Sequence, residues 1–394
     1  LRCQKRKATQ IPASFAVSAV FILYLPPFNQ FVTKPPYKLL LGKNLLHSGG
    51  TMRLKSFVAL FLTVCLGSAV AQTNLTGAGA TFPYPIYSKW FDEYHKQHPE
   101  VAINYQSIGS GGGIAQVQKK TVDFGASDGP MTDKQLSDTP FKVFHIPTVL
   151  GADVPTYNVP GITSELKFTP DVLADIFLGK ITKWNDPRLA KANPGVKFPD
   201  ADIVVVHRSD GSGTTYIWTD FLSKVSPEWA TKVNKGTSVN WPVGLGGKGN
   251  EGVSGIVKQT EGSIGYVELI YAISNNMAYG TVQNPAGVFV KASLESVTAA
   301  AASVKDMPDD FRVSITNAPG KDAYPISSFT WLLVPAEWSD STKEKAFVAF
   351  LNWMVDQGQG MTSKLAYAPL PKNVATKVKA RIKEIKVTNS QAKK

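Results

Sequence analysis

At 394 residues the chain exceeds one ordinary domain, so two lobes or two domains are expected. Its formal net charge of +12 would suit a nucleic-acid or membrane partner, yet residues 1–71 hold nine Lys or Arg and no acid, which leaves 33 basic residues (42 less nine) against 30 acidic ones. The excess belongs to the leader, and no nucleic-acid partner is expected. From Met52, "MRLKSFVALFLTVCLGSAVAQ" has a basic start, a ten-residue apolar run from Phe57 to Leu66, and Ala69 and Ala71 in an A-x-A arrangement. This order predicts a secretory signal peptide over residues 52–71, cut after Ala71. The run is too short to span a bilayer comfortably. Val64 is bulkier than the small residue usual before a lipidated cysteine, which argues against a lipid anchor on Cys65. Residues 1–51 carry a second apolar run, Ala13 to Leu25, broken by Pro26 and Pro27, and are read as an upstream extension outside the mature protein. Cys3 and Cys65 both precede the cut, so the mature chain is expected to have neither a disulfide nor a thiolate site.

Along the mature chain, "FPYPIYSKWFDEYHKQ" places Ile86, Trp90 and Tyr94 on one helical face, and "VAINYQ" alternates as a strand. "SIGSGGGIAQVQKK" reads as a strand-to-helix junction, and "VDFGASD" and "VFHIPTVL" as short strands. "FTPDVLADIFLGK" carries helix signals: Thr169 as N-cap, Pro170 at the first position, Gly179 at the end. The run "ADIVVV" is a buried strand, and Ile217, Phe221 and Val225 after it recur at helical spacing. "IGYVELIYA" and "FTWLLVPAEW" are expected as later strands, "EKAFVAFLNWMVDQG" and "NVATKVKARIKEI" as closing helices. The stretch "WPVGLGGKGNEG" reads as a loop. Strands alternating with helices predict an α/β fold with mostly parallel sheets.

Several motifs fail on inspection. "GLGGKG", Gly244 to Gly249, fits the dinucleotide fingerprint G-x-G-x-x-G, but it stands deep in the chain rather than on a first strand-to-helix turn. No Walker lysine follows "GSGTT". Ser212 lacks the G-x-S-x-G elbow of a hydrolase nucleophile. His95 and His98 have ligand-like spacing without a third ligand nearby, so they are read as a solvated face and no metal is expected.

The informative feature is recurrence. "GAGATFPYP", "IGSGGG" and "RSDGSGTT" each offer Ser or Thr with glycines at the opening of a helix. Helix starts expose unpaired N–H groups, so three of them converging would cradle a small oxyanion, with Arg208 as a bidentate cation. Ser212 is the expected N-cap of the third. Asp128, ending "FGASD", is out of place near an anion unless the ligand has a proton to donate.

"LTGAGATFPYPIYSKW", "YQSIGSGGG", "TVDFGASDGPM", "RSDGSGTTYIWTDFL", "WPVGLGGKGNEGV" and "GSIGYVELIYA" closely resemble the phosphate-binding proteins of bacterial high-affinity ABC phosphate importers. The likeness runs from about Leu75 to about Ile382. It implies a two-lobed periplasmic-binding-protein fold of type II, each lobe a mostly parallel sheet flanked by helices, with residues 72–152 and 325–394 as one lobe and 153–324 as the other. By motif, the resemblance assigns Thr81, Phe82, Ser110 and Asp128 as ligand residues of the first lobe. It assigns Arg208, Ser212, Gly213 and Thr214 to the second, with Asp210 holding the arginine. Phe82 and Gly213 would act through backbone N–H groups. The implied protein is a periplasmic monomer without cofactor or catalysis, with inorganic phosphate and membrane permease subunits as partners. The alternatives are the same fold holding sulfate or another tetrahedral oxyanion, and an exported phosphohydrolase or serine hydrolase. Departures are modest: Gly111 stands where some members have serine, and "VLGADVPTYNVPG" is more polar and proline-rich than usual, which leaves the lobe crossing open.

Overall fold

The computed structural model describes residues 72–388. The signal peptide and upstream extension expected over residues 1–71 lie outside the described residues. The elements that position the cleft begin with β1 (Thr73–Gly79), α1 (Tyr84–Gln97), β2 (Val101–Ser107), α2 (Ser110–Gln118), β3 (Phe124–Ser127) and β4 (Val143–Asn158). They continue with α3 (Pro170–Phe177), β5 (Val204–Arg208), α4 (Gly213–Val225), β6 (Leu245–Gly247), α5 (Gly249–Gln259), β7 (Ser263–Glu268) and α6 (Leu269–Ser274). β8 (Ser327–Pro335), α7 (Ser341–Asp356) and α8 (Lys372–Ile382) close the chain.

The main sheet runs β2-β1-β3-β8-β4-β7-β5-β6. β1 is parallel to β2 and β3, and β5 is parallel to β6 and β7, each pair joined by a helical crossover as parallel pairing requires. The two central strands are antiparallel to their neighbours, so the sheet as a whole is mixed. β4 and β8 lie side by side at the centre of the sheet. β4 pairs with β8 from Val143 to Ala152 and with β7 from Asp153 to Asn158.

Each lobe buries its own aromatic set. α1 buries Ile86, Trp90 and Tyr94 on the face its spacing predicts, and Tyr94 meets Phe350 and Trp353 of α7 edge-on. In the other lobe Trp218 of α4 stacks on Tyr266 of β7 with centroids 5.0 Å apart, and Phe177 tilts against both. Such pairs add specificity to area burial. Pro170 opens α3, and Gly179 follows its end at φ +72°, a left-handed terminator. Thr169 stands at the N-cap without a side-chain capping bond.

Three local expectations change. "VFHIPTVL" is not a short strand but the first half of a 16-residue one. Pro147 lacks an N–H for the ladder, and the register slips there, with Thr330 opposite Val149 but Trp331 opposite Pro147. Burial on both faces removes the alternation that would have shown the strand's length. "IGYVELIYA" is a strand only to Glu268, whose carboxylate accepts the Ile270 N–H at 2.8 Å and starts α6. "WPVGLGGKGNEG" is not a loop throughout: Leu245, Gly246 and Gly247 pair in parallel with Val206, His207 and Arg208, and α5 begins at Gly249.

Candidate anion-binding site

The three glycine-rich segments singled out by recurrence meet in one place. Thr81 and Phe82 lie in the turn from β1 to α1, Ser110 opens α2, and Gly213 and Thr214 open α4 behind their N-cap Ser212. Asp128 follows β3, and Arg208 ends β5. All are buried.

Contacts among these segments are close. A Cβ built on Gly213 would stand 2.5 Å from both the Asp128 Oδ2 and the Ser110 Oγ, so only glycine permits this approach. The Gly111 N–H donates to the Gly211 carbonyl at 2.8 Å, and the Tyr271 hydroxyl of α6 donates to the Thr81 carbonyl at 2.6 Å. Ser212 Oγ accepts the Thr215 N–H at 3.0 Å, the capping bond expected of it.

Arg208 is held from one side. Its Nε donates to Asp210 Oδ1 at 2.8 Å, one Nη to Asp210 Oδ2, and the other Nη to Thr214 Oγ1 at 3.3 Å. A guanidinium has about five N–H donors in a fixed fork, so two remain beyond these bonds. Asp210 Oδ1 also accepts the Gly249 N–H at 3.0 Å. Burial works to raise the Asp210 carboxyl, but the hydrogen bond and charge of Arg208 hold it below the usual carboxylate range.

Asp128 is the opposite case. Burial pushes its carboxyl up to about 7, against the Thr330 hydrogen bond, the Arg208 charge and the Ser110 hydrogen bond. Thr330 Oγ1 donates to Asp128 Oδ1 at 2.7 Å, and the Ser110 hydroxyl donates to Oδ2 at 3.4 Å. One acid in the site is thus held ionised and the other is poised to carry or release a proton near neutrality.

A match to the PBP superfamily domain covers residues 67–357. Among relatives, the phosphate-binding protein PstS of Pasteurella multocida is 47% identical over 86% of this chain and 98% of its own length. The chain belongs to the PstS family of phosphate-binding proteins. PstS of Xylella fastidiosa is 48% identical over 78% of this chain and 85% of its own. In fold, this PstS-family chain is similar to the phosphate-binding protein of Stenotrophomonas maltophilia, with a TM-score of 0.61 at 19% identity, over 78% of this chain and 93% of that one.

Two residues of this candidate site were missed from sequence. Asn250, in the first turn of α5, donates its amide to Thr81 Oγ1 at 2.8 Å and to Thr214 Oγ1 at 3.1 Å. The strand-to-helix junction hidden in "GLGGKGN" was its available signal. Thr330 lies mid-strand in an apolar run and had none. His95 and His98 stay outside: His95 Nδ1 bonds the Val101 carbonyl at 2.7 Å, His98 faces Glu100 at 3.4 Å, and among the described residues no cluster of three metal-ligating side chains occurs.

Proposed function

We propose that this chain binds inorganic phosphate between its lobes in the periplasm and delivers it to the permease subunits of an ABC importer, as a monomer and without catalysing a reaction. Asp128 carries the reading. A carboxyl set among oxyanion donors repels a fully ionised ligand, but accepts a hydrogen bond from a P–OH. The PstS relatives at 47% and 48% identity, both phosphate-binding proteins by name, support it.

Thr81, Ser110, Ser212 and Thr214 supply hydroxyl donors, Phe82 and Gly213 backbone N–H groups, and Arg208 the cation. Asp210 keeps the guanidinium in register. Residues 72–152 and 325–394 form one lobe and 153–324 the other, with β4 and β8 as the hinge. Phosphate closes the lobes because neither half of the donor set satisfies the anion alone. The hydrolase alternative has little support, since Ser212 Oγ is engaged in capping α4 and, among the described residues, no histidine bonds it.

Calorimetric titration of the mature protein with phosphate, arsenate and sulfate tests the proposal. Tight phosphate binding is expected, with sulfate weaker by a margin that widens as pH rises above neutrality. Comparable sulfate affinity would replace phosphate with a general oxyanion, and turnover of a phosphoester would overturn the binding-only role.

A further inference from the structure

We infer that Asn250 sets the polarity of the anion site, by donating to the side-chain oxygens of Thr81 and Thr214 and so committing both hydroxyl protons to the bound oxyanion. The inference rests on the oxyanion reading above and deepens it. Asn250 is fully buried at the start of α5. Its Oδ1 accepts the backbone N–H of Glu268 at 3.0 Å. A backbone N–H can only donate, so this bond fixes which end of the amide is oxygen. The Nδ2 group is therefore the end that faces the threonines, at 2.8 Å from Thr81 Oγ1 and 3.1 Å from Thr214 Oγ1. An amide nitrogen has two protons and no acceptor capacity, so each threonine oxygen receives a bond there.

The remaining lone pairs are also used. Thr214 Oγ1 takes a second bond from Arg208 at 3.3 Å, and Thr81 Oγ1 a second from the Asn250 backbone N–H at 3.4 Å. A hydroxyl has one proton and two lone pairs. With both lone pairs occupied, each hydroxyl can act only as a donor. A free threonine hydroxyl could instead turn its proton away from the ligand. Asn250 removes that freedom before the anion arrives, and a donor oriented in advance costs less to engage.

The test separates this role from two others. Thr81 and Asn250 bond across the lobes, so a cycle between them would also report lobe closure. Thr214 and Asn250 come from the same lobe, so a double-mutant cycle between these two is blind to it. Asn250→Asp keeps the acceptor for the Glu268 N–H but replaces the donating nitrogen with an acceptor. The affinities of wild type, Asn250→Asp, Thr214→Val and the double variant are measured by titration with whichever of phosphate, arsenate and sulfate the wild type binds most tightly. The expected result is that the loss caused by Asn250→Asp is smaller by on the order of ten-fold in the Thr214→Val background. Losses that simply multiply would overturn the inference. If Asn250→Asp does not fold, neutron diffraction from the ligand-bound wild type decides: deuterons on Thr81 and Thr214 aimed at the anion support it, and a deuteron aimed at Asn250 overturns it. Preference for sulfate in the wild type would overturn the phosphate reading while the cycle still judged Asn250. Failure to bind any oxyanion would overturn both.

Discussion

Asp153 of β4 stands directly opposite Glu268 of β7, at the first cross-strand pair after β4 leaves β8, and both carboxyls are fully buried. Neither oxygen of Asp153, and not Oε1 of Glu268, has a hydrogen-bond partner among the described residues. Residues opposed in an antiparallel ladder share a face, so like charges there repel. Burial raises Asp153 well above the ordinary value of 3.8, and the charges of Asp128 and Glu268 add to it while Arg208 opposes. Burial likewise raises Glu268.

A raised carboxyl makes folding take up a proton. Its contribution is fully present below the unfolded value near 3.8 and is lost as pH rises through the higher folded value. Asp153→Val removes the polar atoms while keeping a strand-forming shape. The variant should be more stable than wild type by roughly 1–4 kcal/mol near neutrality. Denaturant unfolding at pH 5 and pH 8 should show the larger gain at pH 8. An equal gain at both, or a destabilised protein, would refute the buried-acid account.

Asp128 predicts a pH dependence of the opposite ligand. Sulfate has no proton to offer, so it is tolerated only when Asp128 is itself protonated, and its burial holds that transition to about 7. Sulfate affinity should therefore rise as pH falls through neutrality, toward a limit of about ten-fold per pH unit above the transition. Asp128→Asn, which has an N–H and no charge, should bind sulfate better than wild type with a flat profile. Titrations at fixed ionic strength from pH 6 to 8 measure both. A flat wild-type profile would remove the proton-reading role.

Gly213→Ala tests the closed cleft. The added methyl would meet the Asp128 and Ser110 side-chain oxygens at 2.5 Å. Overpacking of this kind costs about 1–3 kcal/mol, so phosphate affinity should fall by roughly 10- to 100-fold. The ligand-free protein should melt close to wild type, because the clash arises only on closure. Small-angle scattering should show less contraction with phosphate than in wild type. Unchanged affinity would mean that the lobes do not close this far.

Export is the remaining prediction. A chain translated from Met52 in a Gram-negative host should be recovered from the periplasm beginning at Gln72, because the basic, apolar and small-residue order occurs only there. N-terminal sequencing of the periplasmic protein measures this. An exported protein that keeps residues 52–71, or no periplasmic product, would disprove it.

Local chemistry determined what could be read without the fold. The cap at Ser212, the Pro170 start and Gly179 stop of α3, and the buried face of Ile86, Trp90 and Tyr94 are all set by neighbours within about one or two helical turns, where capping and periodicity act. The hydroxyl and glycine residues at helix starts were legible for the same reason, and the family resemblance joined them into one site. Tertiary structure decided the rest. Thr330 meets Asp128 across 202 residues of sequence, and Asn250 meets Thr81 across 169, so no local pattern shows either contact. β4 runs on through Pro147 and Pro155 because its pairing with β8 and then β7 outweighs two weak strand formers. The burial that gives Asp128 and Asp153 their proton affinity comes only from that packing, since a carboxyl's charge depends on what surrounds it in space.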